Sequence, residues 1–232
     1  MNILITGASR GIGLGLTEKY RQKGTVYAVA RNTKNLENLK NVIPISLDLQ
    51  NVDEVNRYFK HLDIKFDIVI ANAGISLPHS VDFTPFEDFK RLINVNFLSV
   101  HALIEPVAKK MDKGKIVLIS SLASIVASPT SIAYSASKRA LNSYADSLRN
   151  LLAPDINVIN ILPGFIKTDM TDKNDFYMPF LMDLNEGVNR IYNAIESDKK
   201  YYAFPKRFYY LLKLFNLLPL NLQDRILQRL GR

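Results

Sequence analysis

Residues 6–13 read Thr6-Gly7-Ala8-Ser9-Arg10-Gly11-Ile12-Gly13 and follow directly on the apolar run Ile3-Leu4-Ile5. Glycines at 7, 11 and 13 allow a tight turn and a close approach of the backbone to a pyrophosphate. The helix that follows would offer free N–H groups and a partial positive charge at its start. The spacing is G-x-x-x-G-x-G and not the commoner G-x-G-x-x-G. From this stretch alone a tight strand-to-helix turn without any ligand remains the alternative.

On either side of this loop, short apolar runs alternate with longer helical patterns. Strands are expected at residues 3–6, 25–30, 42–47, 66–71, 115–120, 157–162 and 201–204. Most are continuous β-branched or apolar runs, as in parallel strands covered on both faces. Helices are expected at 12–23, 52–61, 85–111, 134–152 and 184–196, the third of them with Thr84 as N-cap and Pro85 at its first position. This alternation predicts an α/β fold, a doubly wound parallel sheet with helices on both faces. Right-handed crossovers then bring the strand carboxyl ends to one edge, where ligands bind.

The bulk composition narrows the classes of function. A chain of 232 residues with 47% hydrophobic content can bury a core, and the absence of cysteine excludes disulfides, thiol catalysis and Cys-based metal sites. His61, His79 and His101 stand far apart, so no metal is expected. No signal peptide precedes the first strand and no apolar run could span a bilayer, so the expected compartment is the cytoplasm. The formal net charge of +8 is uneven: residues 199–232 hold eight basic residues and one acidic, a net +7, which leaves +1 for the rest. The basicity belongs to the tail, no nucleic-acid motif appears, and nucleic-acid binding is not expected.

Two arginines bear on the choice of dinucleotide. NAD binders of this fold place an acid near the end of the second strand to accept from the ribose hydroxyls. Here that strand ends Val29-Ala30-Arg31. Arg31, and Arg10 in the loop, could neutralise a 2′-phosphate, which favours NADP(H) over NAD(H). Two solvated surface arginines are the alternative.

Tyr134-Ser135-Ala136-Ser137-Lys138 is a Tyr-x-x-x-Lys on one helix face. A cation beside the phenol, with an oxidised cofactor nearby, would favour phenolate and make the tyrosine a general acid in reduction and a base in oxidation. The motif recurs as Tyr202/Lys206 and Tyr209/Lys213. Pro205 interrupts the first of these and the basic tail contains the second. Only Tyr134 is preceded by a strand that delivers a serine, Ser121, where a hydroxyl could hold a substrate oxygen. A cap or turn serine is the plainer reading of Ser121.

On these residues the chain resembles the short-chain dehydrogenase/reductase family from residue 1 to about residue 205. Residues 6–13 match the family's T-G-x-x-x-G-x-G. Ala71-Asn72-Ala73-Gly74 matches its N-N-A-G except at Ala71, and Asn96, Ser121, Tyr134 and Lys138 match its catalytic tetrad. Pro163-Gly164-Phe165-Ile166-Lys167-Thr168 resembles its P-G-x-x-x-T, and Asp48-Leu49 its adenine-side acid. The resemblance implies an oxidoreductase moving hydride between nicotinamide and a carbonyl or alcohol carbon. In it Tyr134 transfers the proton, Lys138 lowers the phenol pKa and touches the ribose, and Ser121 orients the carbonyl. Asn96 holds a relay water through its backbone.

The same resemblance implies cofactor contacts from Thr6, Gly7, Ser9, Arg10, Gly11, Ile12, Gly13, Arg31, Asp48 and Leu49. It adds Asn72, Ala73, Gly74, Tyr134, Lys138, Pro163, Gly164, Ile166 and Thr168. A homodimer through the long helices is expected, or a tetramer, although the C-terminus departs from the relatives that form tetramers. A non-catalytic NADP(H) sensor on the same fold is the competing reading. Retention of all four tetrad residues argues against it.

The segment 165–183 carries Phe165, Met170, Phe176, Tyr177, Met178, Phe180, Leu181 and Met182 and should cover an apolar substrate. Residues 1–205 are expected to form a single dinucleotide-binding and catalytic domain. Residues 206–232 should form a basic, amphipathic helical tail packed on it or on a partner. Pro219 is expected to end a first tail helix and Asn221 to cap a second. Peripheral contact with an anionic membrane is the less favoured alternative for this tail.

Overall fold

A computed structural model describes residues 1–230. Seven parallel strands form one sheet: β1 (Asn2–Thr6), β2 (Thr25–Ala30), β3 (Val42–Ser46), β4 (Ile68–Ala71), β5 (Gly114–Ile119), β6 (Ile156–Pro163) and β7 (Tyr201–Phe204). Their order is β3-β2-β1-β4-β5-β6-β7. The chain runs outward from β1 to β3, then returns to the far side of β1 and runs outward again to β7. The reversal lies between β1 and β4, and a crevice opens there beyond their carboxyl ends.

Alternation along the strands explains why both faces are covered. Leu4, Val69, Ile116, Leu118 and Val158 face one way and join a core with Val55 and Phe59 of α2 (Val52–His61), Leu103 and Val107 of α4 (Ser99–Ala108), and Leu141 and Leu148 of α5 (Ile132–Leu151). Ile3, Ile5, Val117, Ile159 and Ile161 face the other way, onto Leu16 and Tyr20 of α1 (Gly11–Tyr20) and Val188 and Ile191 of α6 (Leu184–Glu196). Burying a branched side chain contributes about 1.5–3 kcal/mol, so each face gives the sheet reason to be sandwiched.

Four expectations need correction. The single helix expected at 85–111 is α3 (Phe86–Ile93), then a π-helical turn at Asn94–Leu98, then α4. The π turn rotates the helix by one extra residue and directs Asn96 into the protein, where it is fully buried. Pro85 and not Thr84 is the N-cap of α3; its ψ of 142° is extended, and no side chain caps the helix.

In the tail, α7 (Lys206–Phe215) stops before Pro219, because Asn216 closes it and Gln223 donates to the carbonyls of Asn216 and Leu218. Asn221 lies inside α8 (Leu220–Leu230) and does not cap it, since the carbonyl of Pro219 takes the first bonds, from Leu222 and Gln223. The expected strand and helix ends otherwise shift by a few residues. β4 starts at Ile68, α1 ends at Tyr20 and α5 begins at Ile132.

Candidate active site

The loop after β1 wraps around the start of α1. Gly7 and Gly11 have φ of +65° and +53°, left-handed values that glycine adopts without strain. Gly13 is required for a different reason: a Cβ there would lie 2.0 Å from the Gly7 carbonyl oxygen and 2.7 Å from Asn72 Nδ2. Arg10 is the N-cap of α1, but its side chain accepts no bond from the helix N–H groups, and the first turn has no acid. The helix start is thus a bare cluster of N–H donors, suited to a pyrophosphate.

Asn72 and Thr6 fix this loop to β4. Thr6 Oγ1 accepts from the backbone N–H of Asn72 (3.1 Å) and of Ala73 (3.0 Å), and Asn72 Nδ2 donates to the Thr6 carbonyl at 2.9 Å. Ala71, in place of the family's first asparagine, is a buried strand residue packed in the core.

The four tetrad positions converge at the carboxyl edge of β4 and β5. Lys138 Nζ donates to the carbonyl of Ile119, the last residue of β5, at 2.9 Å, and lies 5.8 Å from the Tyr134 ring centroid. Ser121 follows β5 and opens a 3₁₀ turn at Leu122–Ser124. The turn is held by Arg139, whose guanidinium donates to the carbonyls of Ser124 and Ile125. Asn142 also holds it, donating to Ser124 Oγ at 2.7 Å. Asn96 accepts from the N–H of Ile75 at 2.8 Å and donates to the Ile75 carbonyl at 3.0 Å and to Ser137 Oγ at 3.1 Å. Its side-chain amide is fully engaged, so any role toward a ligand or water falls to its backbone. Gly74 packs beside them: a Cβ there would be 3.4 Å from Lys138 Nζ and 3.5 Å from Asn96 Oδ1.

Electrostatics at this corner differ from the expectation for a lowered phenol. Burial pushes the Tyr134 hydroxyl above its ordinary pKa, and Ser121 beside it pulls the other way. Burial also brings the Lys138 ammonium down to about 8. In the protein alone, desolvation is the dominant influence on both groups.

One cleft of about 1410 Å³ contains nearly all the expected residues. Gly7, Ser9, Arg10, Gly11, Ile12 and Gly13 line it, as do Arg31, Asp48, Leu49, Asn72, Ala73 and Gly74. So do Ser121, Tyr134, Lys138, Pro163, Gly164, Ile166 and Thr168. Thr6 and Asn96 lie behind the wall as buried supports. Arg10 reaches Asp169 at 3.3 Å, and Asp48 Oδ1 accepts from the Gln50 N–H at 3.0 Å. The loop after β6 is tied by Thr171, whose Oγ1 accepts from the N–H of Thr168 and donates to the carbonyls of Ile166 and Thr168.

The segment over the far end of the cleft is aromatic. Phe176 stacks on His79 with centroids 4.0 Å apart, and Phe165 lies 5.9 Å from Phe176 and 6.2 Å from Phe208. Phe165, Met170, Phe176 and Tyr177 line the cleft, whereas Met182 is buried in the core beside Ile166. Burial holds His79 below the usual histidine range, with Asp175 opposing. Phe208 and Leu212 of α7 complete this wall, and Phe208, Tyr209 and Leu212 pack on Leu122, Leu162 and Ala203.

Sequence reading missed Ser137, Arg139, Asn142, His79 and Phe208. Ser137 was within reach, since it lies inside the Tyr-x-x-x-Lys motif and its hydroxyl donates to the Tyr134 carbonyl at 2.8 Å. The others act through contacts distant in sequence.

Comparison with known proteins agrees with this geometry. A family model described as short chain dehydrogenase matches residues 1–176. The chain is 31% identical to an uncharacterized oxidoreductase of Myxococcus xanthus, over 98% of this chain and 96% of that one. It is 34% identical to an 11-beta-hydroxysteroid dehydrogenase-like protein 2 of Arabidopsis thaliana, over 94% and 77%. Among solved structures, a short chain dehydrogenase from Burkholderia cenocepacia in complex with NADP superposes with a TM-score of 0.81 at 26% identity, over 97% of this chain and 96% of that chain; other solved neighbours hold NADH or NAD. This chain belongs to the short-chain dehydrogenase/reductase family, and it is an oxidoreductase of the CH–OH/carbonyl couple that works with a nicotinamide cofactor.

Proposed function

We propose that this protein is an NADP(H)-dependent reductase or dehydrogenase for a hydrophobic carbonyl or alcohol. Convergence of Ser121, Tyr134 and Lys138 with the glycine loop in one cleft carries the reading. The residues fit a dinucleotide: the Gly7–Gly13 approach leaves no room for a side chain, and the uncapped start of α1 faces the same space. Ser9, Gly11 and Ile12 would hold the pyrophosphate, Asp48 and Leu49 the adenine side, Lys138 the ribose, and Ile166 and Thr168 the carboxamide. Arg31 and Arg10 line the cleft where β2 ends without an acid, which favours a 2′-phosphate.

When bound, the nicotinamide supplies or accepts the hydride. In reduction Tyr134 donates its proton to the substrate oxygen and Ser121 holds that oxygen beside the phenol. Lys138, charged, stabilises the phenolate that remains. Asn96, with its amide engaged by Ile75 and Ser137, leaves its backbone to hold a relay water. The aromatic wall of Phe165, Phe176 and Phe208 suits an apolar substrate body. A cytoplasmic homodimer through α4 and α5 belongs to the same reading, with light scattering as its check.

NADPH and NADH oxidation against a panel of aldehydes and ketones, apolar ones included, tests the proposal. Turnover with NADPH favoured and apolar substrates leading supports it. Tight NADPH binding with no turnover across the panel would favour the sensor reading.

A further inference from the structure

Helix α7 has two unlike faces. Its inner face packs Phe208, Tyr209 and Leu212 over the cleft wall, and Asn216 at its end donates to the Ile125 carbonyl at 2.9 Å. Its outer face presents Tyr210, Leu211 and Leu214, which are 61%, 56% and 62% exposed. The chain then adds Leu217 and Leu220, 79% and 69% exposed. On the inner side of the helix Phe180 contacts Phe208 (5.8 Å between centroids), and Phe180 and Leu181 are themselves exposed. A contiguous apolar surface of this kind marks a contact.

Charge identifies the occupant. Lys206, Arg207 and Lys213 are exposed around the leucines of α7, and Arg225 and Arg229 are exposed on α8, with Asp224 the one acid of the tail. A second copy laid on this face would set one net +7 tail against another, so self-association is opposed. A nucleic acid would leave the leucines facing phosphate. An anionic lipid surface satisfies both components: leucines enter below the headgroups while the cations, on flexible apolar stems, stay at phosphate level. Among the described residues no helix is long and apolar enough to cross a membrane, so the contact is peripheral.

We propose that the outer face of α7 and the start of α8 dock this enzyme on an anionic lipid surface. The inner face of the same helix walls the cleft through Phe208 and Leu212, so docking holds that wall of the cleft against the bilayer-bound helix. The surface stands on exposure and charge and does not depend on the cofactor or substrate assignment.

Flotation of the full chain tests this, with vesicles of phosphatidylcholine alone or mixed with phosphatidylglycerol, at low and physiological salt. The protein is expected to float with the anionic vesicles, less at higher salt, and much less with the neutral ones. Leu214→Ser/Leu217→Ser/Leu220→Ser should lower the bound fraction about tenfold or more, and Arg207→Glu/Lys213→Glu should remove the preference for anionic lipid. All five positions are exposed and none lines the cleft, so circular dichroism and melting temperature should stay close to those of the parent. Absence of flotation with anionic vesicles at low salt overturns the proposal, as does flotation that the triple serine variant leaves unchanged. A parent that does not float but whose dimer dissociates in the serine variant would instead make this face a protein interface.

Discussion

Lys138 Nζ donates to the Ile119 carbonyl at 2.9 Å, tying the buried ammonium of α5 to the end of β5. The bond orients the lysine but does not offset its desolvation, and burial lowers its pKa from 10.5 to about 8. Below pH 8 the lysine is charged both folded and unfolded, and the folded state carries the full cost of burying the charge. Between pH 8 and about 10.5 the unfolded chain binds more protons, so stability rises with pH, by at most about 3 kcal/mol for such a shift. Above about pH 10 the tyrosines Tyr20, Tyr144 and Tyr201, all held above their ordinary pKa, reverse the trend, because the unfolded chain then loses protons first. Urea melts of the ligand-free protein should therefore show a rise from pH 8 to 10. Lys138→Met should flatten it and add about 1–3 kcal/mol at pH 7. A parent protein with no rise would mean that the lysine titrates normally.

Tyr134→Phe should remove nearly all turnover and leave NADPH affinity within a factor of about two, since the ring stays and only the transferable proton is lost. Tyr202→Phe and Tyr209→Phe should leave chemistry unchanged. Tyr202 lies in β7 with Pro205 before the helix, and Tyr209 packs outside the cleft lining, so neither pairs with a lysine at the tetrad. Steady-state kinetics with isothermal titration of NADPH separates the two effects. Retention of more than a few per cent of activity by Tyr134→Phe would remove it as proton donor.

The sheet was legible because parallel strands buried on both faces leave continuous apolar runs, and each glycine of the loop answers to a local backbone need. The π turn at Asn94–Leu98 was not legible. Nothing in Asn94-Val95-Asn96-Phe97-Leu98 breaks a helical pattern, and the extra residue is stabilised by Ile75 and Ser137, which hold Asn96 from distant parts of the chain. The supports of Ser121 were hidden for the same reason. Arg139 and Asn142 look like surface residues of a helix until that helix lies against the 3₁₀ turn. In the tail the amphipathic pattern was visible, but which face would be covered was decided by Leu122 and Leu162, far upstream.

Cofactor preference should depend on Arg31 more than on Arg10. Both line the cleft, but Arg10 already has a partner in Asp169, which shares its charge, and no ion pair of Arg31 occurs among the described residues. Arg31→Ala should weaken NADPH by about 1.5–3 kcal/mol, roughly 10–100-fold, and NADH far less. Arg10→Ala should do the same more weakly, and Asp169→Asn should strengthen NADPH slightly by freeing Arg10. The ratio of kcat/KM for the two nucleotides is the measurement. Equal ratios in parent and Arg31→Ala would assign the preference elsewhere.

Gly11 and Gly13 should not respond alike to alanine. At Gly11 the added methyl meets only Thr168 Cγ2, at 3.5 Å, so the main penalty is the left-handed φ of +53°, about 1–2 kcal/mol. At Gly13 the backbone conformation is ordinary, yet a Cβ would sit 2.0 Å from the Gly7 carbonyl oxygen and 2.7 Å from Asn72 Nδ2. Neither group can yield cheaply: the first is backbone, and the second donates to Thr6. Gly13→Ala must therefore push the loop off the start of α1, which should destabilise the protein by about 2 kcal/mol or more and abolish the rise in melting temperature on adding NADPH. Gly15 is the control, because its Cβ would meet only the Val188 side chain, and Gly15→Ala should keep NADPH stabilisation with a smaller loss of stability. Thermal melts of the three variants with and without NADPH give the order. A Gly13→Ala protein that NADPH still stabilises as it does the parent would mean that the close approach of Gly13 to Gly7 is not what forms the phosphate cradle.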